Sequence, residues 1–557
     1  LLSSADQAAA SLLAVLVAAT VCGVLVFRRG VPRRGAYLTV CAAAVLAMAA
    51  WVRFGDFQSI YVDADAADAS SRHRKKIEHH EPFHFHEFFH YYLGSKYFRE
   101  LGYLGIYDCA TLADSEIATE EHVQPRIGGY VRDLEDVLTD KTYAAAVGHC
   151  RDEVRPRLSD ARWAAFEHDI RELQRLVPDD WWNSVVYDAG FNPPPSWVVA
   201  SSTIANLIPI RVGHVPTYLL ATSLDLLLIV AGFVALRSAF GATTAALAAV
   251  YFGSSFVSSY GWNGGAFLRF TWVVAVVVSL AAMKRERWAL AGALLGFATC
   301  DRLFPAGFAI GALVPLAYRA VHSPTHRRAA VRFGAGFAGV LALLFVVSSA
   351  VFGLSSWAVF FARIIRHGDV YYVMHIGLKK VLTFRDWVPK QNFNGHDGLA
   401  RFHDWNLRLR ATWASMRPVA VPLQLLAALG AGLASLRARP YEAALLCGVV
   451  FMFCFNLPAN YYYVILTVVP ALLLRRAATA TTVERRSREF IAVAAFNVFW
   501  VCTLVAPHLW GDDIVFDYVI SLSLAVFLVI WIAVWLDVQW LRTHWPLARP
   551  TPRATAV

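Results

Sequence analysis

The chain has 557 residues, 57% of them hydrophobic, and only 17% are charged against about 25% in an average soluble domain. With a mean hydropathy of +0.46, that balance excludes an ordinary soluble enzyme, a disordered tail protein and a disulfide-dense secreted scaffold. The net charge of +10 is unevenly spread. Residues 54–200 hold 26 of the 41 acidic and 15 of the 51 basic residues, so that segment carries −11 and the remainder +21. The excess arginine sits in short loops between apolar runs, which is the positive-inside pattern of a polytopic membrane protein and not a polyanion-binding face. The bilayer is therefore the expected partner, and nucleic acid is not.

Apolar runs fall near 8–27, 36–53, 215–236, 241–260, 266–283, 288–300, 303–318, 331–352, 418–436, 441–456, 460–474, 490–508 and 515–535. Placing every basic loop in the cytoplasm predicts thirteen crossings, with the N-terminus outside and the C-terminus inside. The thread requires 288–318 to be two short helices broken at Asp301-Arg302. A charged pair at mid-bilayer costs about 2.5–3.5 kcal/mol per residue on insertion scales, so the pair belongs at the outer face. The fold class expected is an all-α polytopic membrane protein with a large, mostly helical extracytoplasmic loop domain.

The chain then divides into two N-terminal helices (1–53), an acidic, His-rich outer segment (54–214) and a transmembrane core (215–352). A second outer loop (353–417), the C-terminal helices (418–535) and a cytoplasmic tail (536–557) complete it. The first outer segment includes the acidic-small run Asp63 to Ser71 and returns to the membrane through Phe191-Asn192-Pro193-Pro194-Pro195. Consecutive prolines there forbid helix and force extended backbone. In the second loop Trp357 to Ile365 reads as an amphipathic interfacial helix. Six of the eight cysteines lie in apolar runs. Cys109 and Cys150 lie in the acidic segment, where a disulfide is open to them if that segment is extracytoplasmic.

His86-Glu87-Phe88-Phe89-His90 is literally H-E-x-x-H, which on a helix sets two imidazoles on one face with a glutamate beside them. The match lies in a histidine-rich stretch, and no third ligand follows at the metzincin offset, where Lys96 stands; a gluzincin-type acid such as Glu100 stays open as one. Three readings stay open for it: a zinc peptidase on His86, Glu87 and His90, a non-catalytic divalent metal or His-rich surface, and a general base. In the last, Glu87 deprotonates an acceptor hydroxyl, with Tyr91 one turn on lining a substrate groove. Arg302, Arg363, Arg366, Lys379 and Lys380 form a candidate anion site at headgroup depth; for Arg363 and Arg366, snorkelling to headgroups is the competing reading. Asp179-Asp180-Trp181-Trp182 is open to stacking on sugar rings or to a place in an interfacial aromatic belt, and the belt is the preferred reading.

Together these stretches resemble the GT-C superfamily of membrane glycosyltransferases, in particular the bacterial branch that uses polyprenyl-phosphate sugars. The likeness is carried by Glu87, Tyr91 and Gly102 to Asp108; by Phe191 to Pro195; by Trp262-Asn263-Gly264-Gly265; by Ala291 to Ala298 with Asp301 to Pro305; and by Asn456 to Tyr462. It implies an inner (plasma) membrane enzyme, active on the extracytoplasmic face. Sugar would pass from a polyprenyl-phosphate donor to the hydroxyl of a glycan or glycolipid. Glu87 would be the catalytic base, Arg302 with Arg363 or Arg366 would hold the departing phosphate, and Asn192, Asn263, Asn460 and Tyr461 would join Tyr91 along the groove. No cofactor is required by that chemistry, although a divalent metal is compatible with it. A non-enzymatic subunit of a membrane complex is the remaining alternative.

Overall fold

The computed structural model describes residues 4–27, 33–63, 75–212, 216–385, 388–393, 398–478 and 480–537. The acidic-small run (all but its first residue) and most of the tail lie outside them. Of the described residues, 78% are helical. Two short antiparallel pairs qualify the all-α expectation: Gln58–Asp63 with Lys75–Glu81, and Tyr130–Arg132 with Asp140–Thr142.

Among the described residues seven helices are long and apolar enough to cross a bilayer: Ser4–Phe27, Arg33–Trp51, Tyr218–Phe240, Pro324–Phe352, Gly398–Ser435, Val483–Leu509 and Asp513–Trp535. The protein is thus a helical, multi-pass membrane protein. Five further apolar runs form shorter helices, Ala242–Gly253, Thr271–Lys284, Trp288–Asp301, Ala306–Ala320 and Pro440–Phe455. The run at 460–474 opens as a 3₁₀ helix, Asn460–Val468, before Val469–Ala478. At 1.5 Å per residue, helices of 12–16 residues reach about 18–24 Å, short of the roughly 30 Å hydrocarbon core. By length and apolar composition together, seven of the thirteen expected crossings qualify as spans among the described residues.

The short helices are packed inside the bundle. Thr271–Lys284 is apolar all round and buries eleven of its fourteen residues, as a helix enclosed by others does. Trp288–Asp301 meets Pro324–Phe352 through small residues. A Cβ on Gly292 would run into the Phe333 carbonyl, one on Gly336 into the Ala289 carbonyl, and one on Gly296 would lie 2.7 Å from the Phe337 oxygen. Such small-residue faces let backbones close up where hydrophobic driving force between helices is weak. The consequence for the site is that the end of Trp288–Asp301, where Arg302 leaves the helix in extended conformation, is rigidly held.

Residues 83–212 build most of a second core, on Phe85, Phe89, Tyr92, Tyr107, Phe166 and Trp182, which Tyr218, Phe267, Trp357 and Phe360 from later elements complete. Cys109 and Cys150 are joined by a disulfide across it. Buried carboxylates bind its helices together. Asp108 accepts from Lys141 Nζ (3.0 Å) and faces His149 (2.5 Å). Asp114 accepts from Ile127 N, Gln174 Nε2 and Trp182 Nε1. Burial raises both carboxyls above the ordinary range, Lys141 opposing it at Asp108 and these hydrogen bonds at Asp114. The helix Ser355–Gly368 is amphipathic: Trp357 and Phe360 are buried, while Val359, Phe361 and Ile365 are exposed on the other side.

Candidate functional site

His84 starts the helix Phe85–Phe88 by accepting from the Glu87 amide (3.4 Å), and its own amide donates to the Gly265 carbonyl. The helix continues as a π-turn over Phe89–Leu93. This fixes Glu87 and Tyr91 toward the bundle, while Phe88, Phe89 and Tyr92 enter the core of the polar domain.

Glu87 forms an ion pair with Arg269, a residue that the pattern of the sequence hides inside the apolar run 266–283. Arg269 is held from below. Asp225 accepts the amides of Arg269 (3.0 Å) and Phe270 (3.1 Å), and Leu268 sits at φ 54°, a left-handed conformation that a branched side chain rarely adopts. The Arg269 guanidinium lies 3.9 Å from the centre of the Tyr461 ring, a cation–π distance.

Arg302 is the second fixed cation. Its Nη1 donates to the carbonyl and Oδ1 of Asp301 (2.8 Å each), Nη2 to Tyr91 Oη (3.0 Å) and Nε to Tyr462 Oη (3.3 Å). Asp301 also accepts from Thr271 Oγ1. Two guanidiniums, two carboxylates and the rings of Tyr91, Tyr461 and Tyr462 thus form one contiguous cluster.

The cluster faces a cavity of about 270 Å³. Glu87, Tyr91, Asn192, Arg302 and Tyr461 all line it, together with Asp188, His367, Tyr372, His375 and Tyr462. Phe360 and Ile364 of the amphipathic helix, with Leu303 and Phe304, close its apolar side. Aromatic walls with a few convergent polar groups are the usual make-up of a ligand site. Burial, with Arg363 adding to it, drives His367 down to about 4, and burial drives His375 well below the imidazole range. Both rings are therefore neutral at physiological pH.

Arg363 does not face this cavity. Its Nη1 donates to the carbonyls of Tyr103 and Leu134, and its Nη2 to the carbonyl of Ala189 and to Asn192 Oδ1, at 2.9–3.2 Å. It clamps the 188–192 turn. With Arg366, which donates to the Glu135 carbonyl, it lines a neighbouring hollow of about 430 Å³ that shares His367 with the first. Lys379 donates to the Gly368 carbonyl over the Tyr371 ring, and buried Lys380 to the Val373 carbonyl; neither lines the cavity. Asn460 is buried behind it, accepting from Trp262 Nε1 and donating to Asp517. The side chain of Asn263 lies outside the described residues.

The two histidines of H-E-x-x-H are engaged with hydroxyls. His86 Nε2 meets Ser184 Oγ at 2.9 Å and His90 Nε2 meets Tyr107 Oη at 2.7 Å. Among the described residues no three His, Cys, Asp or Glu side chains gather closely enough to hold a metal ion.

Arg269 and Asp188 are the residues that motif spacing misses. A lone arginine within an apolar window was the available signal for the first. For the second it was an acid two residues before a glycine, leading into the proline-rich re-entry. The chain matches no protein-family model, no curated protein and no solved structure.

Proposed function

We propose that this cavity is the active site of a GT-C-like membrane glycosyltransferase that moves a sugar from a polyprenyl-phosphate donor to an acceptor hydroxyl. The observation that carries the reading is convergence. Glu87 and Tyr91 from the first polar segment, and Arg302 from a helix break in the bundle, meet at one cavity whose other wall is an amphipathic helix with an exposed apolar face.

That arrangement suits a substrate with a lipid tail, a phosphate and a sugar. Phe360, Ile364, Leu303 and Phe304 offer apolar surface to the tail. Arg302, already preorganised by Asp301 and two tyrosines, offers positive charge to the leaving phosphate. Tyrosine rings, Asn192 and carboxylates offer the stacking surfaces and hydrogen-bond acceptors that hydroxylated rings need. Because a lipid phosphate is a good leaving group, the protein's tasks are positioning and charge stabilisation. The Cys109–Cys150 disulfide supports an oxidising, extracytoplasmic side for the first polar segment.

The test is consumption of polyprenyl-phosphate sugars, carrying mannose, glucose, galactose or arabinose, by the full chain in liposomes. Turnover of one of them that falls at least tenfold in Arg302→Lys is expected. Turnover of none, with either a glycan or a glycolipid acceptor, overturns the reading.

A further inference from the structure

We propose that Asp188, not Glu87, is the carboxylate that takes the proton from the acceptor hydroxyl; this rests on the transferase reading above. Both acids line the cavity, but their surroundings differ. Glu87 is committed to its ion pair with Arg269, and its side chain is 17% exposed against 51% for Asp188. Among the described residues the one hydrogen bond to the Asp188 carboxylate is from the Ala189 amide to Oδ1 (2.8 Å), and Oδ2 accepts none.

The turn that presents Asp188 is built for it. Gly190 has φ +73°, where any other side chain is strained, and a Cβ there would displace Leu134 Cδ2, 2.6 Å away. Arg363 binds the Ala189 carbonyl and Asn192 from one side. From the other, the Gly190 amide donates to Tyr107 Oη (2.9 Å). Tyr107 Oη also meets His90 Nε2 at 2.7 Å, where the role of each depends on the imidazole tautomer. In the tautomer in which Nε2 accepts from Tyr107, the proton of the neutral imidazole sits on Nδ1, 3.7 Å from Asp188 Oδ2. His90 is thus a positioning residue, holding a dipole toward the carboxylate. Burial keeps the His90 ring neutral by lowering it below the ordinary imidazole range.

The step balances within the cavity. The acceptor oxygen bonds to the anomeric carbon as the bond from that carbon to the phosphate oxygen breaks, and the electron pair leaves with the lipid phosphate. The acceptor proton passes to Asp188 Oδ2 and from there to water. In an oxocarbenium-like transition state the acceptor oxygen becomes acidic as it bonds, so a carboxylate of low basicity can take its proton. Glu87, fixed against Arg269, keeps a negative charge beside the same cavity throughout.

Asp188→Asn and Asp188→Ala are compared with wild type in liposomes, using the sugar donor that wild type consumes. Single-turnover transfer and donor affinity are measured separately. The expected result is a loss of at least about a hundredfold in transfer, with donor affinity unchanged within threefold, and partial recovery of Asp188→Ala by added formate. Transfer within threefold of wild type in both variants overturns the role of Asp188 and leaves the transferase reading standing. Equal loss of donor affinity, or failure of both variants to fold, also overturns it, since the position would then be structural. Wild type that consumes no donor removes the transferase reading itself, and the role of Asp188 with it.

Discussion

Arg302 donates from Nη2 to Tyr91 Oη over 3.0 Å, a bond between residues 211 positions apart that ties the helix break in the bundle to the first polar segment. The guanidinium is 8% exposed and satisfies four acceptors, two of them on its own neighbour Asp301. Lysine can keep the charge but cannot reproduce that planar fork. Arg302→Lys is therefore expected to fold, with a donor KM raised tenfold or more. Arg302→Ala leaves Asp301 buried and uncompensated, at a cost of about 3–5 kcal/mol. Thermal unfolding in detergent should show a large loss for alanine and a small one for lysine; equal midpoints would refute the structural role of the pair.

How much of this was legible in the sequence depends on what each feature needs. The break at Asp301-Arg302 announces itself because two adjacent charges cannot sit mid-bilayer, and the chain leaves its helix there. The proline stretch is local in part: Pro194 is extended, but the third proline does not forbid helix, because Pro at a first helical position loses no bond, and Pro195 opens the helix Pro195–Leu207. Span number is not local. Hydropathy sees composition, and Thr271–Lys284 is as apolar as a spanning helix, although it has 14 residues and buries eleven of them. The grouping of Arg363 with Arg302 as anion binders fails to anticipate the geometry for a related reason. Arg363's partners are three backbone carbonyls and one amide from distant positions, and carbonyls leave no trace in a residue pattern. Arg269 is hidden because a single charge barely alters an apolar window, while the carboxylate that balances it lies in another segment altogether.

The H-E-x-x-H match makes a metal prediction. His86 and His90 each spend Nε2 on a hydroxyl, and His90 turns Nδ1 toward Asp188. Burial also lowers both rings, His86 to about 4. Neutral imidazoles are good ligands, but catalytic zinc needs a third protein donor beside them. Purified protein is expected to bind less than a tenth of an equivalent of zinc through these residues. Elemental analysis of wild type and His86→Ala checks this; near-equimolar zinc lost in the variant would establish the peptidase-like site.

The disulfide makes a stability prediction. Cys109 and Cys150 are 41 residues apart, and closing a loop of that length in the unfolded chain is worth about 4 kcal/mol on the chain-entropy relation. The double variant Cys109→Ser/Cys150→Ser should lower the midpoint for unfolding of the polar domain and expose sites within 83–212 to protease. The bundle has a separate core and should resist longer. Limited proteolysis followed by mass spectrometry separates the two. Indistinguishable cleavage with and without the disulfide would mean that it adds nothing to that domain.

The pair Glu87 and Arg269 offers the sharpest test of the site's construction. Arg269 is 4% exposed and Glu87 17%. Each charge was taken out of water, so removing one partner leaves the other uncompensated, at a cost of about 3–5 kcal/mol. Asp225 holds the backbone of Arg269 through two amides and does not depend on the side chain. The loop should therefore survive loss of the guanidinium while the charge balance does not. Glu87→Gln and Arg269→Gln are each expected to lower stability markedly. The double variant removes both charges and should be closer to wild type than the sum of the two, with a coupling of about 1–3 kcal/mol in a double-mutant cycle. The measurement is chemical denaturation of all four proteins in the same detergent. Strict additivity would mean that the two side chains do not interact in the folded protein, and the cavity wall would then have to be drawn without an ion pair behind it.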